Sequence, residues 1–243
     1  MTGFVAAASP IPPIFDLTYA SGSYLGNTDD GVFSTTLPFT FKFAGVDYTN
    51  VYVSTNGFLT LGGENGPDCC SGNSGQLLSG LPRIAPAWTD LVTTVYQNDL
   101  PGVTTFTWEG STFSSEDNVL FQAQLYSTGQ IIFGYAAFSI SGAMGDDTLI
   151  GISQGGGATD PGQTDLLAST PILLGLLPTY YQVFTGSGET PQAAPSGPSN
   201  VPFDLSGTNI QFDPSTSDVP EPGTVVLSIA GLAAIGLLKR RVR

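Results

Sequence analysis

The chain has 243 residues, with twenty acidic residues against six basic ones, no histidine and a formal net charge of −14. Without histidine, Ser-His-Asp and Cys-His catalysis are excluded, and most zinc sites go with them. The acidity also excludes nucleic acid and anionic lipid as partners, because both would be repelled.

Residues 1–15 read as a leader. Ala6-Ala7-Ala8 has the small-residue character of a secretory cleavage region, with Ala8-Ser9 as the cut, yet no basic n-region precedes it. The segment is either the remnant of a truncated signal peptide, whose true start would lie upstream, or a disordered leader.

Residues 16–213 read as one all-β domain, an antiparallel β-sandwich. Gly and Pro are abundant, and Thr, Val, Phe and Tyr fill the runs between them. Asn27, Asp29 and Asp30 before Gly31 offer oxygen ligands on a short loop, as do Asp146 and Asp147 after Gly145. They are weak calcium candidates, since neither loop has regular ligand spacing and Asn/Asp/Gly turns explain both. Phe39, Phe41 and Phe43 alternate with Thr40 and Lys42, which puts aromatics inward and Lys42 on a solvated face. Val51–Thr55 and Phe58–Leu61 flank Asn56-Gly57, a dipeptide that predicts a type I′ hairpin turn.

Cys69 and Cys70 are the only cysteines. Adjacent Cα atoms lie about 3.8 Å apart, below the usual disulfide range of about 4.4–6.8 Å, so a vicinal bridge would be strained. Free thiols, that strained bridge and crosslinking to another chain all stay open. Asp90 stands two residues from Trp88, and a carboxylate beside an aromatic platform is the one pairing that fits a sugar site. The plainer alternative makes Trp88 core and Asp90 a turn cap. Glu109 and Glu116-Asp117 read as loop and edge charges.

Further strands are predicted at Val103–Trp108, at Phe121–Tyr126, at Gln130–Tyr135 after a Thr128-Gly129 turn, and at Leu149–Ser153. Residues 186–200 are a Gly/Pro/Ser/Ala-rich excursion, after which Phe203–Phe212 regains strand character.

Residues 214–218 form a linker to a three-part tail at 219–243. Val219-Pro220-Glu221-Pro222-Gly223 is held extended by its prolines. A hydrophobic helix is predicted over 224–238, and Lys239, Arg240, Arg241 and Arg243 make a basic end. The uncharged run from Val225 to Leu238 would span about 21 Å as a helix, against a hydrocarbon core of about 30 Å. It is therefore closer to a temporary anchor than a permanent span. It shows no polar face, which a buried core helix would need. The positive-inside rule keeps the basic end cytoplasmic and places residues 1–222 outside. Before residue 239, only Lys42 and Arg83 oppose all twenty acidic residues, leaving a net charge of −18.

This tail resembles the PEP-CTERM sorting signal of Gram-negative bacteria. The resemblance implies passage through the inner membrane, recognition by an exosortase-type transpeptidase and cleavage near the Pro-Glu-Pro. The product would reside at the cell surface or in an extracellular, biofilm-type matrix. The body resembles the nidogen-like extracellular β domain over residues 30–155. The segments that carry this are Leu37–Phe41 with Tyr48, Val53–Leu59, Ile84–Leu91, and Phe121–Leu125 followed by Gly129, Ile131–Tyr135 and Ile150–Ile152. The insert at 65–76, with Cys69 and Cys70, departs from that pattern. This second resemblance implies adhesion or matrix interaction and no catalytic residues.

The expectation is thus a non-enzymatic exported surface or matrix protein. Its partners would be the sorting enzyme, transiently the inner membrane, and polysaccharide or other matrix components. No cofactor is expected beyond calcium. The alternative is a lectin or glycoside hydrolase using Asp90 near Trp88.

Overall fold

The structure, a computed structural model, describes residues 14–64, 66, 72–114, 116–138, 147–184 and 203–215. Its strands belong to one compact unit, Met1–Asp213; the second unit, Pro214–Arg243, lies almost entirely outside the described residues. So do Cys69, Cys70, Asp146, the 186–200 excursion and the whole 219–243 tail.

Two sheets form an all-β sandwich. The first runs β1 (Ser23–Thr28), β6 (Leu91–Leu100), β7 (Val103–Thr112), β8 (Asn118–Tyr126), β9 (Ile131–Phe138), β13 (Asn209–Pro214) and β11 (Ile172–Leu174) in spatial order. The second runs β12 (Thr179–Phe184), β10 (Thr148–Ser153), β5 (Arg83–Trp88), β4 (Phe58–Leu61), β3 (Val46–Ser54) and β2 (Val32–Phe43). The chain therefore changes sheets between β1 and β2 and between β5 and β6, and then at every connection from β9 to β13.

Period-2 patterning builds the core. Phe41 and Phe43 on β2, Val51 and Val53 on β3, Phe106 and Trp108 on β7, and Phe121, Ala123 and Leu125 on β8 are all buried in one cluster. Lys42 faces solvent between its two phenylalanines. Each such aromatic contributes roughly 1.5–3 kcal/mol through burial. The long edge strand β2 pairs with β3 at Val32–Thr36 and again at Phe41–Phe43, with Pro38 in the interruption. Beside that gap Gln97 of β6 reaches over, accepting from the Thr35 hydroxyl at 2.5 Å and donating to the Thr36 carbonyl at 3.0 Å. A row of edge groups open to another chain is partly closed by that contact.

The alternation breaks at β5. Leu149 and Gly151 of β10 stand opposite Trp88 and Ala85, so one extra residue sits in β5 at a bulge beside Pro86. Proline has no ladder N–H to lose, which suits it to a bulge. The extra residue turns Ala87 into the main core and Trp88 to the other face of the sheet. There Trp88 joins Phe58, Ala85, Leu149, Tyr181 and Leu77 in a second, smaller core. Leu77 comes from a short helix, α1 (Ser74–Ser79), whose N-cap is the Asn73 side chain. Another short helix, α2 (Leu166–Ser169), is capped by Asp165. Neither was expected from the sequence, because six and four residues are too few to show a helical period.

At the Pro86 bulge the carbonyl accepts a 2.6 Å hydrogen bond from the fully buried Tyr135 hydroxyl of β9, tying one sheet to the other. Tyr135→Phe leaves that carbonyl unpaired in the core, and chemical denaturation should show a loss of about 1–3 kcal/mol.

Candidate functional site

The site grows from the turn between β3 and β4. Ser54 pairs with Phe58, so the loop is Thr55-Asn56-Gly57. The two-residue type I′ turn expected from Asn-Gly is not what forms. Only Gly57 has positive φ, at 76°, and Asn56 does not. A three-residue loop with a single left-handed glycine is the commoner alternative when a strand partner must be met one residue later. Alanine at Gly57 would also place its Cβ 2.0 Å from the Ala87 carbonyl oxygen.

Asn56 is thereby freed for other work. It is fully buried. Its Oδ1 accepts from the Leu91 N–H at 2.9 Å, and its Nδ2 donates to Asp30 Oδ1 at 2.8 Å. Its main-chain carbonyl accepts from the Thr89 N–H at 3.3 Å, and that of Gly57 from Ala87 at 3.1 Å. Around it, the Trp108 indole N–H donates to the Ser54 carbonyl and the Thr93 hydroxyl to the Thr55 carbonyl, both at 2.7 Å. The Thr55 hydroxyl donates to the Asp29 carbonyl and accepts from the Gly31 N–H at 2.9 Å. One buried polar loop therefore holds the β1–β2 connection, the β5–β6 corner and β7 together.

Those two connections carry Asp29 and Asp30 on one side and Asp90 on the other. One carboxylate oxygen from each lies within 4.8 Å of the other two. Asp30 is exposed, Asp29 half-buried and Asp90 nine-tenths buried. The Oδ1 atom of Asp29 is enclosed and accepts no hydrogen bond. Loss of hydration, and then the neighbouring Asp30 charge, push the Asp29 carboxyl above the usual aspartate range. The donors are all oxygens, the set that suits a hard divalent cation.

The other residues singled out in the sequence do not join this cluster. Asn27 on β1 donates to the Thr94 hydroxyl at 2.5 Å through its Nδ2. Asp147 uses its carbonyl to accept from the Gly72 N–H at 3.1 Å. Trp88 is no sugar platform beside Asp90, because it is fully buried on the far face that the bulge creates. The Arg83 guanidinium is stacked there, 3.9 Å from the Trp88 ring centroid and 4.3 Å from that of Phe58.

One surface went unnoticed in the sequence because its members lie far apart in it. On the outer face of the seven-stranded sheet, Tyr96 of β6 makes edge contacts with Tyr19, at 5.6 Å between ring centroids, and with Tyr24 of β1, at 6.2 Å. Tyr24 is 62% exposed. The Glu109 carboxylate lies beside Tyr19.

A family model described as NIDO related matches residues 13–172, and a second, described as a PEP-CTERM protein-sorting motif, matches residues 218–243. No curated protein and no solved structure matches the chain.

Burial, followed by Glu109, pushes the Tyr19 phenol up to about 12, and burial with Asp160 does the same for Tyr181. Raised phenol values stabilise the fold fully below the unfolded value of about 10, and that contribution is lost as pH rises from there towards 12. Ultraviolet titration should show ordinary tyrosines ionising first and stability falling across that interval; full phenolate formation by pH 10.5 in the folded protein would contradict it.

Proposed function

Because the chain belongs to the NIDO-related family over residues 13–172 and ends in a PEP-CTERM protein-sorting motif, we propose that it is a non-enzymatic adhesive or structural protein of the cell surface or extracellular matrix. The motif marks an exported protein handled by an exosortase. The observation that carries the proposal is the pairing of that address with an extracellular-type β domain and with no histidine anywhere in the chain.

In this reading the tail enters the inner membrane with Lys239, Arg240, Arg241 and Arg243 held on the cytoplasmic side. Its apolar run is short for the bilayer, so the anchorage is temporary. The sorting enzyme cuts within or near Val219–Gly223 and thereby discards four of the six basic residues in the chain. What remains is strongly acidic and stays soluble outside the cell.

The tyrosine face favours one refinement, that the domain binds neutral polysaccharide. The exposed Tyr24 ring and the half-buried Tyr19 and Tyr96 rings, beside the Glu109 carboxylate and with Asn27 and Thr94 on β1 and β6, supply stacking surface and hydrogen-bond partners for sugar hydroxyls. Its net negative charge disfavours acidic polysaccharides. Hydrolysis at Asp90 has little support once Trp88 is buried. The carboxylate oxygens of Asp29, Asp30 and Asp90 also converge more tightly than the roughly 5–10 Å that separates paired glycosidase acids.

Deleting residues 219–243 should abolish surface or matrix retention, read by immunofluorescence and cell fractionation, while leaving the melting temperature of the β domain unchanged. Undiminished surface display of the deletion protein would count against the proposal.

A further inference from the structure

We propose that the outer face of the seven-stranded sheet is a groove for extended peptide, and that the segment it holds, Ile14–Thr18, is exchanged between copies of this chain.

One residue from each of three strands lines the groove. Asn209 of β13, Gly134 of β9 and Gln122 of β8 stand opposite one another in a row across the sheet. The two side-chain amides at the ends of the row hold main chain. Asn209 Oδ1 accepts from the Ile14 N–H at 3.2 Å, and its Nδ2 donates to the Ile14 carbonyl at 2.9 Å. Gln122 repeats the pattern on Asp16, accepting from its N–H and donating to its carbonyl, both at 2.9 Å. A residue that turns N–H and C=O to one side, followed two residues later by another, is the edge that a strand offers to its ladder. Side-chain amides here take the place of the partner strand. The groove therefore reads peptide backbone and rejects proline at both positions.

Two further features select side chains. Between the amides, Gly134 leaves room for Phe15: a Cβ there would stand 3.2 Å from Phe15 Cδ2 and 3.3 Å from the Ile14 carbonyl oxygen. Asn98 of β6 donates through Nδ2 to the Asp16 carboxylate at 2.7 Å and to the Thr18 hydroxyl at 3.1 Å. The occupant is thus a segment of Ile-Phe-Asp type, which every copy of this chain carries.

The hold is light. Ile14 and Leu17 are exposed, so hydrogen bonds more than apolar burial fasten the segment. It reaches β1 through the turn Tyr19–Ser21 and Gly22, and swinging it away breaks no strand pair. The same segment of a second copy makes the same bonds in the same groove. The chain's own segment competes at an effective concentration on the order of millimolar, so exchange grows as copies crowd together. One-way donation joins copies into chains, and reciprocal donation closes pairs. Neither the adhesive role nor the sorting tail is needed for it.

The test is photo-crosslinking between two full-length chains in non-ionic detergent. The donor carries p-benzoylphenylalanine in place of Phe15, and the acceptor carries a different affinity tag. Products are read on reducing denaturing gels, so that Cys69 and Cys70 add nothing. Irradiation should give a two-chain product whose adduct maps to β9 or β13 of the acceptor, near Gly134. An acceptor with Ile14→Pro and Asp16→Pro cannot fill its own groove and should give roughly tenfold more, the weight of two lost hydrogen bonds. Adding Asn209→Leu or Gly134→Ala to that acceptor should return the product to background. Should the double proline acceptor fail to fold, Ile14→Pro alone takes its place. No groove-mapped product from the proline acceptor, or a yield that Asn209→Leu and Gly134→Ala leave undiminished, overturns the proposal.

Discussion

The sandwich depends on the buried polar turn Ser54–Gly57. Two sheets of antiparallel strands attract each other through apolar side chains, which set no particular alignment. The turn supplies one. The Ser54 carbonyl takes the Trp108 indole proton, the Thr55 carbonyl takes the Thr93 hydroxyl, and the Asn56 amide takes the Leu91 N–H. All three donors belong to the seven-stranded sheet, and the turn belongs to the other. Each bond is worth only about 1 kcal/mol net, but leaving any partner buried and unmade costs more, so one register of the two sheets is selected over its neighbours. The bond from Tyr135 to Pro86 makes a second tie on the same principle.

That construction explains what could be read from the sequence. Strands with clean alternation, such as Phe39 to Phe43 and Phe121 to Tyr126, are legible because period 2 is a local property. Asn56-Gly57 is legible as a turn for the same reason. What Asn56 does there is not, since its partners Leu91 and Asp30 stand 35 and 26 residues away. The bulge at Pro86 is also hidden; one extra residue moves Trp88 from the expected face to the other and removes the sugar platform that its closeness to Asp90 implied. The carboxylate cluster was only half visible, because Asp29 and Asp30 are adjacent while Asp90 comes from another corner.

The sorting motif was legible because its logic is contiguous: a Pro-Glu-Pro segment, a short apolar run and a basic end follow one another in the sequence. Its chemistry is separate from that of the body. The sandwich holds its fold through inter-sheet hydrogen bonds and aromatic packing. The acidity of the chain before the tail and the tyrosines on one sheet face suit an exported protein.

The account rests on the chain being exported and cut at its sorting motif. Intact-mass spectrometry of the protein recovered from cells that carry the sorting enzyme tests this directly. A mature C-terminus within or beside Val219–Gly223 is the predicted result; a product that still ends at Arg243 would contradict it.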